Sequence, residues 1–127
     1  MEQLLLEPKA KTPLVHFDNK TGVMFLKGMS CSENSLEFYK PVLDWVERYG
    51  KSPLESTILN IEFKYFNTSS AKCILDVLEK FANIYNMGNN VVFNWHYEKN
   101  DEEMLEAGEN FSEILGIPFN ISEIEAI

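Results

Sequence analysis

Strand-like apolar runs alternate along this chain with segments whose apolar residues recur at helical spacing. Strand-like runs cover 14–18, 23–27, 57–66 and 91–97, and the run 57–66 is rich in β-branched and aromatic residues. Two short apolar runs, 4–6 and 119–121, are candidates for a further short strand. Helical spacing follows Ser30–Asn34 up to Gly50, and it recurs over 71–85 and 101–115. This order predicts an α/β fold, with an N-terminal hairpin and helices packed on a mixed sheet of four to five strands.

Capping and turn residues mark the element boundaries. Asn19–Gly22 predicts the hairpin turn, and Ser30 with Glu33 has the spacing of a capping box. Pro41 either kinks the first helix or starts a second one. The periodicity assigns these residues to inward helix faces: Leu36, Tyr39, Val42, Leu43 and Val46; Ala71, Ile74, Leu75, Leu78, Phe81, Ala82 and Tyr85; Met104, Leu105, Phe111 and Ile114.

Length, composition and charge bound the class of protein. The chain has 127 residues, 45% of them apolar, which fits a single domain over 1–127 with its own core. The net charge of -9 argues against binding to a nucleic-acid backbone. No apolar run is long enough to insert into a membrane, and the N-terminus lacks the features of a secretory signal.

The residues that most often bind metals or catalyse reactions form no recognisable motif. Cys31 and Cys73 have no histidine at metal-binding spacing, and their number fits a reduced, cytoplasmic compartment. His16 and His96 have no nucleophile at a known spacing, so both are interpreted as structural or surface histidines. We therefore expect no metal and no cofactor. An acidic stretch is interpreted as a solvated helix face: Asp101, Glu102, Glu103, Glu106 and Glu109.

The most informative stretch is a cluster of hydroxyl residues at a strand-to-helix junction. The strand that ends at Phe66 is followed by Asn67-Thr68-Ser69-Ser70, and helical spacing begins at once. Free backbone N–H groups at such a junction suit a helix cap, an anion cradle or a phosphorylation switch. Lys72 lies four residues after Thr68, close enough on a helix to pair with an added phosphate. No P-loop pattern is present, so a nucleotide-binding loop is excluded.

The predicted topology gathers several loops at one edge of the sheet. Right-handed crossovers place the ends of parallel strands, and the loops that follow them, at the same edge. We therefore expect Ser30–Asn34, Asn67–Ser70 and Glu98–Asp101 to lie near one another. A partner surface there would combine the hydroxyl cluster with the neighbouring loop and the rim of the central helix: Asn67, Ser69, Ser70, Lys72, Ser32, Glu33 and Asn34.

Several motifs in order along nearly the whole chain resemble the SiaC-type regulatory phosphoproteins, which are STAS-like relatives of anti-sigma factor antagonists. The matching residues are Thr12-Pro13, Gly28–Asn34, Phe38-Tyr39-x-Pro41, Tyr65–Lys72, Trp95-x-Tyr97 and Asp101–Glu109. One departure is Cys31-Ser32-Glu33, where the family tends to have Pro before the Glu.

The resemblance implies a partner switch without enzymatic activity of its own. It implies that a dedicated protein kinase phosphorylates Thr68 and that a PP2C-like, metal-dependent phosphatase removes the phosphate. The unmodified protein would then bind and activate a diguanylate cyclase, which makes cyclic di-GMP and promotes aggregation or biofilm formation.

Two other hypotheses stay open on the residues alone. The chain could be a small enzyme that uses the hydroxyl cluster as a nucleophile, although no base or acid is evident to activate it. It could also be a constitutive interaction module in which Asn67–Ser70 only caps a helix.

Overall fold

The computed structural model describes residues 1–125, and within them the chain forms six strands and three helices. The strands are β1 Leu4–Leu6, β2 Leu14–Phe17, β3 Val23–Ser30, β4 Ser56–Phe66, β5 Asn90–Glu98 and β6 Asn120–Ile124; the helices are α1 Ser35–Tyr49, α2 Thr68–Asn86 and α3 Glu102–Leu115. In this described part of the chain, no helix is long and apolar enough to cross a membrane.

The strands form one mixed sheet in sequence order, from β1 at one edge to β6 at the other. The pairs β1–β2 and β2–β3 are antiparallel, and the pairs β3–β4, β4–β5 and β5–β6 are parallel. The predicted α/β class and N-terminal hairpin are confirmed, but the count of four to five strands is too low for residues 1–125. Short edge strands show little alternation, and their pairing with a neighbour, rather than their own pattern, stabilises them.

All three helices pack on the same face of the sheet. The register places Phe17 and Trp95 on one side, where alternate residues of the central strands are buried. The ring of Phe17 lies 5.5 Å from that of Trp45 in α1 and 5.6 Å from that of Phe81 in α2. The ring of Trp95 lies 5.6 Å from that of Phe111 in α3. The aromatic core therefore lies between the sheet and one layer of helices.

The first helix begins later than the capping box predicts. Ser30 is the last residue of β3, and its buried hydroxyl is 2.6 Å from the hydroxyl of Tyr39. The predicted box of Ser30 and Glu33 is wrong because parallel pairing with β4 carries β3 three residues beyond Lys27. Helix α1 then runs through Pro41 without interruption, so this proline does not start a second helix.

Three apolar residues predicted to face inward are exposed instead. Leu36 is 73% exposed, Tyr85 40% and Ile114 61%. Each of the three is the second residue from a helix end: Leu36 at the start of α1, Tyr85 at the end of α2 and Ile114 at the end of α3. Apolar spacing alone does not show whether neighbouring elements cover the ends of a helix.

Helix α3 approaches the sheet closely at Gly108. A Cβ at this position would lie 2.5 Å from Cδ1 and 2.6 Å from Nε1 of Trp95. The indole cannot easily retreat, because it is fully buried and its Nε1–H donates a 3.0 Å hydrogen bond to the carbonyl of Met104. Gly108 therefore sets the separation between α3 and β5.

We expect Gly108→Ala to lower the free energy of unfolding. Overpacking of a dense core costs about 1–3 kcal/mol, whereas the gain in helix propensity is at most about 1 kcal/mol. Thermal melts monitored by circular dichroism measure the difference. Glu109→Ala, at the next and exposed position, is the control and should change stability by no more than about 0.5 kcal/mol. A variant Gly108→Ala that melts at or above the wild-type temperature would show that the indole has room to move.

Candidate functional site

The loops after β3 and β4 meet at one edge of the sheet, as predicted. The backbone N–H of Asn67 donates to the carbonyl of Ser30 at 3.0 Å, and its Nδ2 donates to the carbonyl of Ser32 at 3.4 Å. The hydroxyls of Ser35 and Ser69 are 2.7 Å apart, which joins the first turns of α1 and α2. We call this region, residues 30–35 and 67–72, the hydroxyl edge.

The third loop, Glu98–Asp101, follows the parallel strand β5 and therefore lies at the same end of the sheet. Its backbone is hydrogen-bonded to strand β6 instead, since the Lys99 N–H donates to the carbonyl of Ile124 at 2.8 Å. Asp101 caps α3 by accepting from the N–H of Met104 at 3.1 Å. Within residues 1–125, this loop makes no hydrogen bond to the hydroxyl edge.

Asn67 alone supplies the side-chain cap of α2. Its Oδ1 accepts from the backbone N–H of Ser70 at 2.9 Å, and its own backbone is extended, as an N-cap residue requires. The capping role predicted for Asn67–Ser70 as a group is therefore performed by Asn67. None of the following hydroxyls is needed to begin the helix.

The three hydroxyls after Asn67 have different environments. Ser70 is fully buried, and its Oγ has no hydrogen-bond partner in residues 1–125. Ser69 Oγ is held by Ser35 at 2.7 Å and donates to Asn67 Oδ1 at 3.3 Å. Thr68 is exposed and, in the part of the chain described, its hydroxyl makes no hydrogen bond. The prediction that Ser70 belongs to the partner surface is therefore corrected, because its buried hydroxyl is not accessible to a partner in this conformation.

A β-bulge sets the orientation of the chain just before the cluster. Gly28 pairs with Phe63 and Met29 with Tyr65, so Lys64 is an extra residue in β4. Tyr65 consequently turns outward and is 52% exposed, whereas the ring of Phe66 packs 5.7 Å from that of Phe63. Simple alternation along β4 would have placed these two side chains the other way round.

An exposed ion pair connects the loop before α1 to Lys11. Lys11 Nζ lies 2.5 Å from Glu33 Oε1, and this hydrogen bond lowers the pKa of the Glu33 carboxyl. Ser32 Oγ accepts from the N–H of Asn34 at 3.1 Å. The side chain of Asn34 donates to Glu37 and does not cap α1, so the N–H groups of that first turn have no side-chain cap. Ser32 is half-buried, and Glu33 and Asn34 are exposed.

The electrostatics of the hydroxyl edge favour a negative charge near Thr68. The N-termini of α1 and α2 lie side by side there, and each carries the partial positive charge of a helix dipole. The first turn of α2, all of which is described, contains no acidic residue. Lys72 is exposed one turn further along the same helix. An anion attached at Thr68 therefore meets favourable partial charges.

The acidic and basic groups of the hydroxyl edge are not placed to activate its hydroxyls: Glu33 is paired with Lys11. Among residues 1–125, no imidazole or carboxylate is hydrogen-bonded to the hydroxyl of Thr68, Ser69 or Ser70. His16 lies on the sheet face opposite the helices and is paired with Gln3 at 3.1 Å. Within the same residues, no three His, Cys, Asp or Glu side chains converge to hold a metal ion.

Ser35 is the residue of this site that sequence patterns did not identify. Only 3% of the residue is exposed, and its hydroxyl lies 2.7 Å from that of Ser69 in the neighbouring helix. In the sequence it follows Asn34 as one more polar residue at a helix start, and nothing distinguishes it from a capping residue. Its contact with Ser69 depends on the packing of α1 against α2, which local spacing does not encode.

Comparison with known proteins gives a consistent relationship at the level of sequence. The model of the SiaC family of regulatory phosphoproteins matches residues 6–124. An uncharacterised protein of Pseudomonas aeruginosa strain UCBPP-PA14 is 36% identical over 124 residues, which cover 95% of this chain and 96% of that protein.

Solved structures show the same relationship in three dimensions. The activator SiaC in the crystal structure of the diguanylate cyclase SiaD with SiaC, from P. aeruginosa, superposes with a TM-score of 0.88 at 32% identity, over 95% of this chain and 99% of that one. The apo-SiaC crystal structure from P. aeruginosa superposes with a TM-score of 0.84 at 30% identity, over 96% and 99% of the two chains. The resemblance found in the sequence motifs is confirmed, and the chain belongs to the SiaC family of regulatory phosphoproteins.

Proposed function

We propose that this chain is a non-enzymatic cytoplasmic phospho-switch, a single regulatory domain that binds a diguanylate cyclase when Thr68 is unmodified and releases it when Thr68 is phosphorylated. One observation carries the proposal. Thr68 is exposed at the start of α2 and its hydroxyl makes no hydrogen bond within residues 1–125, while Asn67 separately caps that helix. The acceptor can be modified without removing the contact that begins the helix.

The modification is an ordinary phosphoryl transfer. A protein kinase positions the γ-phosphoryl group of ATP against Thr68 Oγ1, the new oxygen–phosphorus bond forms, and the bond to the bridging oxygen of ADP breaks. The hydroxyl proton passes to a base of the kinase. In the reverse direction, a PP2C-like phosphatase activates water to attack phosphorus, inorganic phosphate leaves, and Oγ1 regains a proton. The kinase and the phosphatase follow from the family resemblance.

The fold tolerates the phosphate at this position. A phosphothreonine carries about -1.5 to -2 charges, and the first turn of a helix stabilises negative charge by about 0.3–1 kcal/mol at an exposed site. Thr68 is exposed, so its modification displaces no core atom. The domain therefore remains folded in both states, and only its surface changes.

The same phosphate weakens a complex that covers the hydroxyl edge. A partner seated over Thr68 would have to remove the dianion from water, which costs several kcal/mol unless an opposing charge compensates it. To shift the chain from mostly bound to mostly free, the phosphorylated and unmodified forms must differ by about 5.5 kcal/mol in their free energy of binding to the partner. One phosphate at the centre of an interface supplies an effect of this order.

The diguanylate cyclase is the partner that the structural relatives support. The P. aeruginosa SiaC with the higher TM-score of the two superpositions was crystallised with the diguanylate cyclase SiaD and is named its activator. By this relationship, the unmodified chain would activate a cyclase that makes cyclic di-GMP. The contact surface would combine Asn67, Thr68 and Ser69 with the exposed part of the Ser32–Asn34 loop and with Lys72.

Phosphate should be absent from Thr68→Ala while the domain stays folded. Wild type and Thr68→Ala are each isolated, with phosphatase inhibitors, from cells that naturally produce the protein. Fragment-ion mass spectrometry then assigns the phosphorylated residue. Because Asn67 caps α2, the loss of this hydroxyl should lower stability by less than the roughly 1 kcal/mol of a typical lost cap. Asn67→Ala is the matched control and should cost the full cap energy. Phosphate only at Ser69 or Ser70 in the wild type would contradict the assignment.

Phosphorylated protein should bind the cyclase more weakly than Thr68→Ala, which should bind like the wild type. The phosphate must be desolvated in the complex, and the alanine removes only a hydroxyl at an exposed position. Isothermal titration against the purified cyclase measures the dissociation constants. Thr68→Glu should weaken binding by less than phosphate does, because one carboxylate has less charge and fewer oxygens. Equal affinity of modified and unmodified protein would refute the switch.

Charge reversal at Lys72 should reduce binding to the kinase or the cyclase without affecting the fold. Lys72 is exposed and, among residues 1–125, has no ion-pair partner, so Lys72→Glu should change stability by less than about 0.5 kcal/mol. Glu106→Lys and Glu109→Lys are the control variants. They reverse exposed charges in α3, away from the hydroxyl edge, and should change binding to the kinase or the cyclase little. If Lys72→Glu binds normally while either α3 variant abolishes binding, the interface lies on another face.

A further inference from the structure

We infer that Ser35 is a specificity-determining residue that confines phosphorylation to Thr68 by restraining the neighbouring hydroxyl of Ser69. The inference rests on the proposed function and adds a residue from a different helix to it. Three hydroxyls follow Asn67 in sequence, and a kinase that reaches Thr68 also comes close to the next position. The structure shows why the three are not equivalent acceptors.

Ser70 is excluded by burial, since none of its surface is accessible. Ser69 requires another explanation, because the residue as a whole is exposed. Its hydroxyl differs from that of Thr68 in one respect: Ser69 Oγ has two hydrogen-bond partners, Ser35 Oγ at 2.7 Å and Asn67 Oδ1 at 3.3 Å. Thr68 Oγ1 has none in the described residues.

The contact with Ser35 restrains the position of the Ser69 hydroxyl in either direction of the hydroxyl pair. If Ser35 donates to Ser69, the Ser69 proton is directed to Asn67, and if Ser69 donates to Ser35, its proton is engaged with a buried acceptor. The Ser69 oxygen keeps at least one free lone pair in both cases, so the restraint acts on its position and not on its intrinsic reactivity. In-line attack requires the oxygen to meet the phosphoryl group in the kinase site, and Ser69 must leave Ser35 to do so.

Rotation of Ser69 leaves a buried group without a partner. Only 3% of Ser35 is exposed, so water does not readily replace Ser69 as its partner. An unsatisfied buried hydroxyl is penalised more than an exposed one. Ser35→Ala removes this penalty, because no buried polar atom then remains to be satisfied and Ser69 rotates freely.

The test compares the distribution of phosphate in wild type, Ser35→Ala and Tyr49→Phe. Tyr49→Phe is the matched control, because it also breaks a buried hydroxyl pair, with Thr57 at 2.7 Å, but at the opposite end of the sheet. Each protein is isolated from cells that naturally produce it, with phosphatase inhibitors, and fragment-ion mass spectrometry assigns the phosphate. A loss of one net hydrogen bond predicts a roughly two- to tenfold rise in the Ser69-to-Thr68 ratio in Ser35→Ala.

A second measurement needs no kinase. Side-chain coupling constants measured by NMR should show one χ1 rotamer for Ser69 in wild type and in Tyr49→Phe, and rotamer averaging in Ser35→Ala. The additional phosphate should disappear in the double variant Ser35→Ala/Ser69→Ala.

Three outcomes would overturn the inference. The first is a Ser35→Ala protein labelled only at Thr68, as in wild type. The second is an equal rise at Ser69 in Tyr49→Phe, which would mean general loosening of the fold. The third is a Ser69 rotamer that is already averaged in wild type. A wild-type protein without phosphate at Thr68 would instead overturn the proposed function and, with it, the inference.

Discussion

The arrangement at the hydroxyl edge depends on Asn67, which uses its polar groups to fix three chain segments at once. Its backbone N–H binds the last residue of β3, its Oδ1 begins α2, and its Nδ2 reaches the carbonyl of Ser32 in the loop before α1. Parallel pairing of β3 and β4 brings these segments to the same edge, but pairing alone would leave the loops free to move. With one residue fixing all three segments, the neighbouring hydroxyls have defined and different environments.

The bulge in β4 explains why this side chain faces its partners. Inward residues along β4 are odd-numbered as far as Phe63, and the extra residue Lys64 reverses the alternation so that Phe66 points into the core. On the partner strand, Gly28 adopts a φ of 115°, which residues with a side chain rarely adopt. Phe66 also stacks 6.1 Å from Phe111 of α3. The end of β4 is thereby anchored to the core immediately before the chain turns at Asn67.

The sequence was sufficient for the features that depend on local pattern and insufficient for those that depend on packing. Alternation and helical spacing identify the strands, the helices and the junction at Asn67–Ser70, because each has its own periodicity. The exposure of Leu36 and Ile114 could not be predicted, since both lie at a helix end, where spacing alone does not show whether a neighbouring element covers the side chain. The bulge at Lys64 depends on the pairing of β4 with β3, and the contact between Ser35 and Ser69 depends on the packing of α1 against α2. Both involve residues far apart in the chain, so no local sequence pattern predicts them.

If Thr68 is the phosphoacceptor, as proposed, separate residues serve for capping and for modification, and a small domain can change its surface without changing its fold. Had Thr68 been the cap, phosphorylation would have altered the hydrogen bond that begins α2, and the central helix would have been weakened together with the interface. In this chain the cap lies one residue earlier, at Asn67, and Thr68 is exposed. The proposed phosphorylation would therefore change the free energy of binding rather than that of folding, which is the condition for a switch whose two states are both stable proteins.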